Sequence, residues 1–445
     1  MKRIIESLKK INYKLFIALL VMGFCPTIYT TLRVFWLGQL PGEWSYSIAG
    51  QLSWINLIYE VINEAIILPL FYFVGKVILD KKEFINRIKT GLIVTFCIYL
   101  LLSIVLIILI EPLLNIMATS PDIIQESVSY IRLECVANIF NILTSFIFVV
   151  LVSLNKNKQV YILTGVKLIL CIVFDLFLVS SLKCSLCLGV NGIAISNIFV
   201  NLILLVVSLL LLYKEDINLF NGGKLDFSWT KDFAKVGGIS GLESFVRNFF
   251  YMVMISRMVN MVGEQGTYWV ANNFIWGWLL LPILQLGELI KQEIATDNKK
   301  LKTNTIGYFV ITGFICLLWI ILIPVYKPFM IHVLQFSDVD KLFKLVMVLI
   351  GFYILFAIQN VFDATFYGLG KTHYMLFESV LTNIIESVLT NIIYYGICFV
   401  LFVMNIFKPT LIGIALMFGI GNAFDSLVSL IAYLFLRKRM KNCLE

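Results

Sequence analysis

"FDLFLVSSLKCSLCLGVNGIAISN" (174–197) closes one long apolar run, near 159–182, and opens the next, near 188–213, with a short link between them. Each run exceeds the roughly 20 residues that an α-helix needs to cross the hydrocarbon core of a bilayer. The stretch therefore reads as two membrane-spanning helices joined by a tight turn. A single carboxylate, Asp175, lies inside the first run. An ionisable side chain within a span is expensive, so it directs attention to what it meets there.

The same pattern extends over the chain. Of 445 residues 60% are hydrophobic and 14% charged, with mean hydropathy +0.93, against about a quarter charged in soluble chains. The spans are predicted near 14–37, 46–75, 88–113, 122–154, 159–182, 188–213, 229–262, 267–292, 303–326, 340–368, 373–404 and 410–436. Repeated spans, and no small-residue cleavage site after the first apolar run, argue against a secretory signal. Basic residues alternate between links: Lys2, Arg3, Lys9 and Lys10 before the first span, Lys81, Lys82, Arg87 and Lys89 after the second, Arg437 to Lys441 at the end. Links such as "QLPGEWS" (39–45) carry none, and "KPFMIHVLQFSDVDKLFK" (327–344) is the exception. The positive-inside rule then places both termini in the cytoplasm of a multi-pass plasma-membrane protein. The formal charge of +8 orients the chain and implies no nucleic acid.

The expected organisation is a cytoplasmic segment 1–13, a first lobe 14–213, a linker 214–228, a second lobe 229–436 and a basic tail 437–445. The halves resemble each other. "LNKNKQVYILTGVKLIL" (154–170) has a counterpart in "GLGKTHYMLFESVLTNII" (368–385), and "NGIAI" (191–195) in "IGIAL" (412–416). Both begin in the cytoplasm, so they read as parallel repeats, an architecture of secondary transporters. "ESVLTNIIESVLTNII" (378–393) is an eight-residue tandem copy, and 42 positions separate Lys371 from Gly413 where 34 separate Lys158 from Gly192. The duplication reads as an incidental lengthening of the eleventh span.

"LRVFWLGQL" (32–40), "MATSPDIIQESVSYIRL" (117–133) and "FDLFLV…LGVNGIAISN" (174–197), in that order and spacing, resemble segments of the multidrug and toxic compound extrusion (MATE) family of the MOP flippase superfamily. The resemblance implies an all-α integral membrane fold, with twelve helices in two pseudo-symmetric six-helix lobes arranged as a V. It also implies export of organic, often cationic, amphipaths in exchange for Na⁺ or H⁺. By resemblance, a first-lobe cation site falls on an acid in helix one, an Asn and an Asp in helix five and a Thr in helix six. These positions read Arg33, Cys171, Asp175 and Asn197 here; only the Asp is retained. Acidic positions of some relatives fall near Arg247 and Phe356 in the second lobe, with Glu243 and Asp363 the nearest carboxylates.

Depth arithmetic at ~1.5 Å per residue sets Arg33 and Asp175 within about 5 Å of one level, with Asn197 comparable. Two readings stand: Arg33 pairs with Asp175 as a tethered cation where relatives hold Na⁺, or it snorkels to the outer headgroups. Ser53, Asn56, Glu60, Asn63 and Glu64 line one face of the second span. Like carboxylates one turn apart repel, a repulsion relieved when one carries a proton, so Glu60 and Glu64 are candidates for proton coupling or for a cationic substrate. A packing seam is the other reading. Glu134, a third candidate coupling or substrate carboxylate, shares a face of span four with Asn138, Asn141 and Ser145, and Lys167 sits half way along span five, facing either Glu134 or a substrate anion. Glu243 and Arg247, at i and i+4, read as an internal pair or as a substrate-facing site. Asp363 with Gln359 and Asn360, and Asp425 with Asn422 and Ser429, form smaller patches.

Nine cysteines, mostly within apolar runs, suit buried apolar groups, and "KCSLC" (183–187) alone makes no metal site. His332 and His373 lie too far apart to pair, and no catalytic or phosphate-loop motif is present. The expectation is a monomeric secondary exporter of small organic molecules in a lipid bilayer, neither an enzyme nor a cofactor protein, with H⁺ favoured over Na⁺. The alternative is a flippase for lipid-linked oligosaccharide or another anionic lipid.

Overall fold

The computed structural model describes residues 2–40, 44–154, 156–219, 225–297, 299–369 and 392–443, apart from a few side chains, Glu243 among them. The tandem copy lies outside these residues save for Ile392 and Ile393. All regular structure among the described residues is helical. In chain order it comprises α1 (Lys2–Lys9), α2 (Tyr13–Gly38), α3 (Ser45–Gly75), α4 (Lys81–Ile116), α5 (Pro121–Ser153), α6 (Asn157–Leu178), α7 (Gly189–Lys214) and α8 (Thr230–Tyr251). There follow α9 (Arg257–Met261), α10 (Gln265–Phe274), α11 (Leu281–Thr296), α12 (Lys300–Ile321), α13 (Ile323–His332), α14 (Val339–Leu369), α15 (Tyr395–Val403) and α16 (Leu411–Cys443).

Each predicted span carries helix, the eleventh through α15 and the residues just before it. Among the described residues eight helices are individually long and apolar enough to cross a membrane, and a bent pair makes a ninth. That pair, Gln265–Leu279 with Leu281–Thr296, turns by 50°. A π-helical turn over Ile275–Leu279 and Pro282 at the start of α11 account for the bend. Helices α3 and α8 do not count among the eight, and both carry polar stripes. The structure also adds pieces where links were expected. Asp80 caps α4 by accepting from the amides of Lys82 and Glu83 (3.1 and 3.2 Å), so this helix starts well before position 88. Residues 323–332 form α13 after a break at Leu322, with Pro324 in its first turn.

By contacts the chain divides into two units, Leu32–Trp269 and Met1–Thr31 with Val270–Glu445. In the first, α5 is the central helix, packed on α3, α4, α6 and α7, with Ile131, Cys135, Phe146, Ile147 and Val150 fully buried. Helix α8 lies along α3. A Cβ at Gly237 would fall 2.1 Å from the Ala65 carbonyl oxygen, and one at Gly241 2.9 Å from the Ala65 Cβ. This Gly-x-x-x-Gly pair lets the two backbones approach, as small residues do in membranes. Gly237→Ala must push the helices apart and is expected to lower stability by about 1–3 kcal/mol. Gly238→Ala, which meets nothing within 4 Å, is its control. Thermal unfolding in detergent compares them, and equal melting points would contradict the close approach.

In the other unit α14 packs on α11 and α16, and α1 packs on α12. Glu293, almost fully buried, accepts from the Asn12 amide (2.8 Å), Asn304 Nδ2 (3.0 Å) and the Tyr308 hydroxyl. Gly307 N–H donates to Ser7 Oγ at 2.8 Å, so the segment expected to be a simple cytoplasmic lead-in is tied to α11 and α12. Glu215, just past α7, bonds Lys156 and Gln159, and these bonds hold its carboxyl below the usual range.

Candidate functional site

Arg33 turns inward. Its Nε donates to Asp175 Oδ2 at 2.5 Å, and Nη2 reaches Asp175 Oδ1 at 3.2 Å and Asn197 Oδ1 at 2.7 Å. The carboxylate is fully buried and the guanidinium 12% exposed. A planar fork suits both carboxylate oxygens at once, which an ammonium could not match. Because Asn197 Oδ1 faces Arg33, its Nδ2 faces away and donates to Glu134 Oε1 at 2.7 Å. Helices α2, α6, α7 and α5 are thus joined through one chain of charge-assisted bonds. Cys171 is buried one turn before Asp175 on α6.

Arg247 forms the second cluster. Its Nη2 lies 2.8 Å from Glu64 Oε1 and 3.3 Å from Glu60 Oε1. Of the grouping expected from sequence, Arg247 with Glu243 and Asp363, the Glu243 side chain lies outside the described residues and Asp363 lies in the other unit. The cluster crosses from α8 to α3. Its cause is the Gly237/Gly241 contact with Ala65, which brings the polar stripe of α3 against α8. Asn248, missed in the sequence, sits in the same seam and donates to the Leu57 carbonyl at 3.2 Å. Glu60, Glu64 and Arg247 are between a quarter and a half exposed.

Asp363 belongs to the other unit. Its Oδ1 accepts from Ser429 (3.2 Å), while Gln359 donates to Asp425 (2.8 Å) and accepts from Ser426 (2.8 Å). The two patches read separately on α14 and α16 therefore adjoin. Lys167 meets neither Glu134 nor any other carboxylate among the described residues; its Nζ bonds Asn141 Oδ1 at 3.4 Å. A further polar knot went unpredicted. Gln51 and Asn260 pair amide to amide (2.9 and 3.1 Å), with Trp54 and Thr119 also bonding Gln51. Among the described residues no three His, Cys, Asp or Glu side chains gather to hold a metal.

Residues 80–177 match the sequence model of the MatE family. A multidrug resistance MATE family transporter of the MOP superfamily, solved inward-facing, superposes with TM-score 0.77 over 94% of both chains at 18% identity. It has the MATE fold. An outward-facing MATE structure gives TM-score 0.67 over 99% of this chain and 98% of that one at 16% identity. A mutant MATE transporter of Vibrio cholerae gives 0.68 over 99% of both at 13%. No curated protein matches in sequence. Solved MATE transporters have twelve transmembrane helices, the number of spans expected here. The chain is a multi-pass membrane protein. Twelve spans against the nine long apolar helices of this structure are reconciled by α3, α8 and the eleventh span, which lies largely outside the described residues.

Proposed function

We propose that this chain is a secondary active exporter, moving amphipathic, cationic organic compounds out across the plasma membrane by alternating access, with H⁺ rather than Na⁺ as the coupling ion. The supporting observation is the Arg33 guanidinium bonded to Asp175 and Asn197, at the positions where the family resemblance leads one to expect a bound cation. A coupling ion must bind one state more tightly than the other and then leave. A guanidinium on the chain cannot leave, and it cancels the one retained acid. Sodium would also need several oxygen ligands in a site where Asp175 is fully buried and Glu134 nearly so, whereas a proton needs one. Glu60 and Glu64, partly exposed and sharing one Arg247, are the carboxylates that exchange it.

The test is purified protein in liposomes loaded with a cationic dye, given a pH gradient or a Na⁺ gradient separately. Dye flux is expected to follow the pH gradient alone. Flux driven by Na⁺ at zero pH gradient would refute the coupling, and no flux under either gradient would refute the exporter.

A further inference from the structure

Lys167 is a cation within a membrane helix whose hydrogen-bond partner is a neutral amide. It lies ten residues from the start of α6, roughly 15 Å along the axis, about half the ~30 Å hydrocarbon core. Its Nζ bonds Asn141, twelve residues from the end of α5, roughly 18 Å along that helix. The head group is thus held at depth and does not reach up or down to the lipid phosphates. Nor does it face the hydrocarbon. The exposed apolar ridge of α6 is Ile162, Ile169, Val173 and Phe177, while Lys167 shares the opposite face with buried Leu163, Cys171 and Asp175. On that inner face Lys167 remains partly exposed, so space adjoins it.

Local charge does not balance it. Asp175 is committed to Arg33. Glu134 lies seven residues from Asn141 along α5, about 10 Å away along the helix, and bonds Asn197 instead. Asn138, one turn from Asn141 towards Glu134, has a buried amide nitrogen with no acceptor. An intramembrane ammonium normally has an anionic partner, and around this one the surplus is of donors.

We propose that Lys167, with Asn141 beside it, is the binding point for a carboxylate carried by the substrate, so that the exported class includes zwitterionic amphipaths. This rests on the exporter reading above. The probes are rhodamine B, which has a free carboxylate, and its ethyl ester, which keeps the cationic ring system without it. Binding to the purified full chain is followed by fluorescence anisotropy. Lys167→Met is expected to weaken rhodamine B by about tenfold, the effect of one charged hydrogen bond, and to leave the ester within about twofold. Lys167→Arg is expected to keep the preference. Equal losses for both probes, no loss for either, or a wild-type chain that does not bind rhodamine B would overturn the proposal. The ester also reports folding, and pH-driven ester flux without carboxylate discrimination would leave the exporter reading standing.

Discussion

Arg33→Ala is expected to destabilise the protein by about 3–5 kcal/mol, the usual consequence of stranding one member of a buried ion pair. Asp175 is fully buried and accepts two bonds from the guanidinium. Without it, the carboxylate faces Cys171 and Asn197, neither of which carries a compensating charge. Asn197 is bonded on both sides, so its link to Glu134 loosens as well. The pair as a whole contributes much less than either partner's removal suggests, because both charges were taken out of water to form it. Arg33→Met with Asp175→Leu should therefore recover most of the loss. The measurement is a double-mutant cycle of Arg33→Met, Asp175→Leu and the two together, on thermal unfolding in detergent. Losses that add, with no recovery in the double variant, would mean that the two side chains act independently. An Arg33→Lys variant is expected to fall between, since an ammonium cannot span both carboxylate oxygens and Asn197 in one plane.

What could be read without coordinates divides by how far the information travels. Span positions follow from run length, and the level of Arg33 and Asp175 from rise per residue; both are local sums along a helix. The cross-helix partners of Arg247 are not. An i, i+4 rule points to Glu243 on its own helix and says nothing of Glu60 and Glu64, which meet Arg247 through a helix–helix register set by Gly237 and Gly241 against Ala65. Nothing at positions 60–65 announces which helix will lie alongside. Glu293 shows the same limit: its first donor, Asn12, stands 281 residues away, and an acid at a basic cytoplasmic link reads as solvated. Lys167 is intermediate, since its depth was legible and its neutral partner Asn141 was not.

Replacing both carboxylates of the α3–α8 seam, Glu60→Gln with Glu64→Gln, is expected to reduce pH-driven dye flux to the level of protein-free liposomes. Among the described residues Arg247 is the cation that bonds both acids. One proton on the pair makes the described charges balance, and its departure leaves a surplus negative charge; that difference is what a pH gradient can act on. Glutamine keeps size and hydrogen bonding but holds no exchangeable charge, so the seam loses its second state. Glu64→Gln should do more than Glu60→Gln, because its oxygen is 2.8 Å from Arg247 against 3.3 Å. These groups are partly solvated, so the stability change should stay within about 1 kcal/mol, and melting in detergent separates lost coupling from lost folding. Flux is expected to fail while dye binding to the purified variant persists, since coupling and binding draw on different groups. A double variant that pumps as the parent does would remove these acids from the proton path and leave Glu134 and the Asp363–Asp425 patch to supply it.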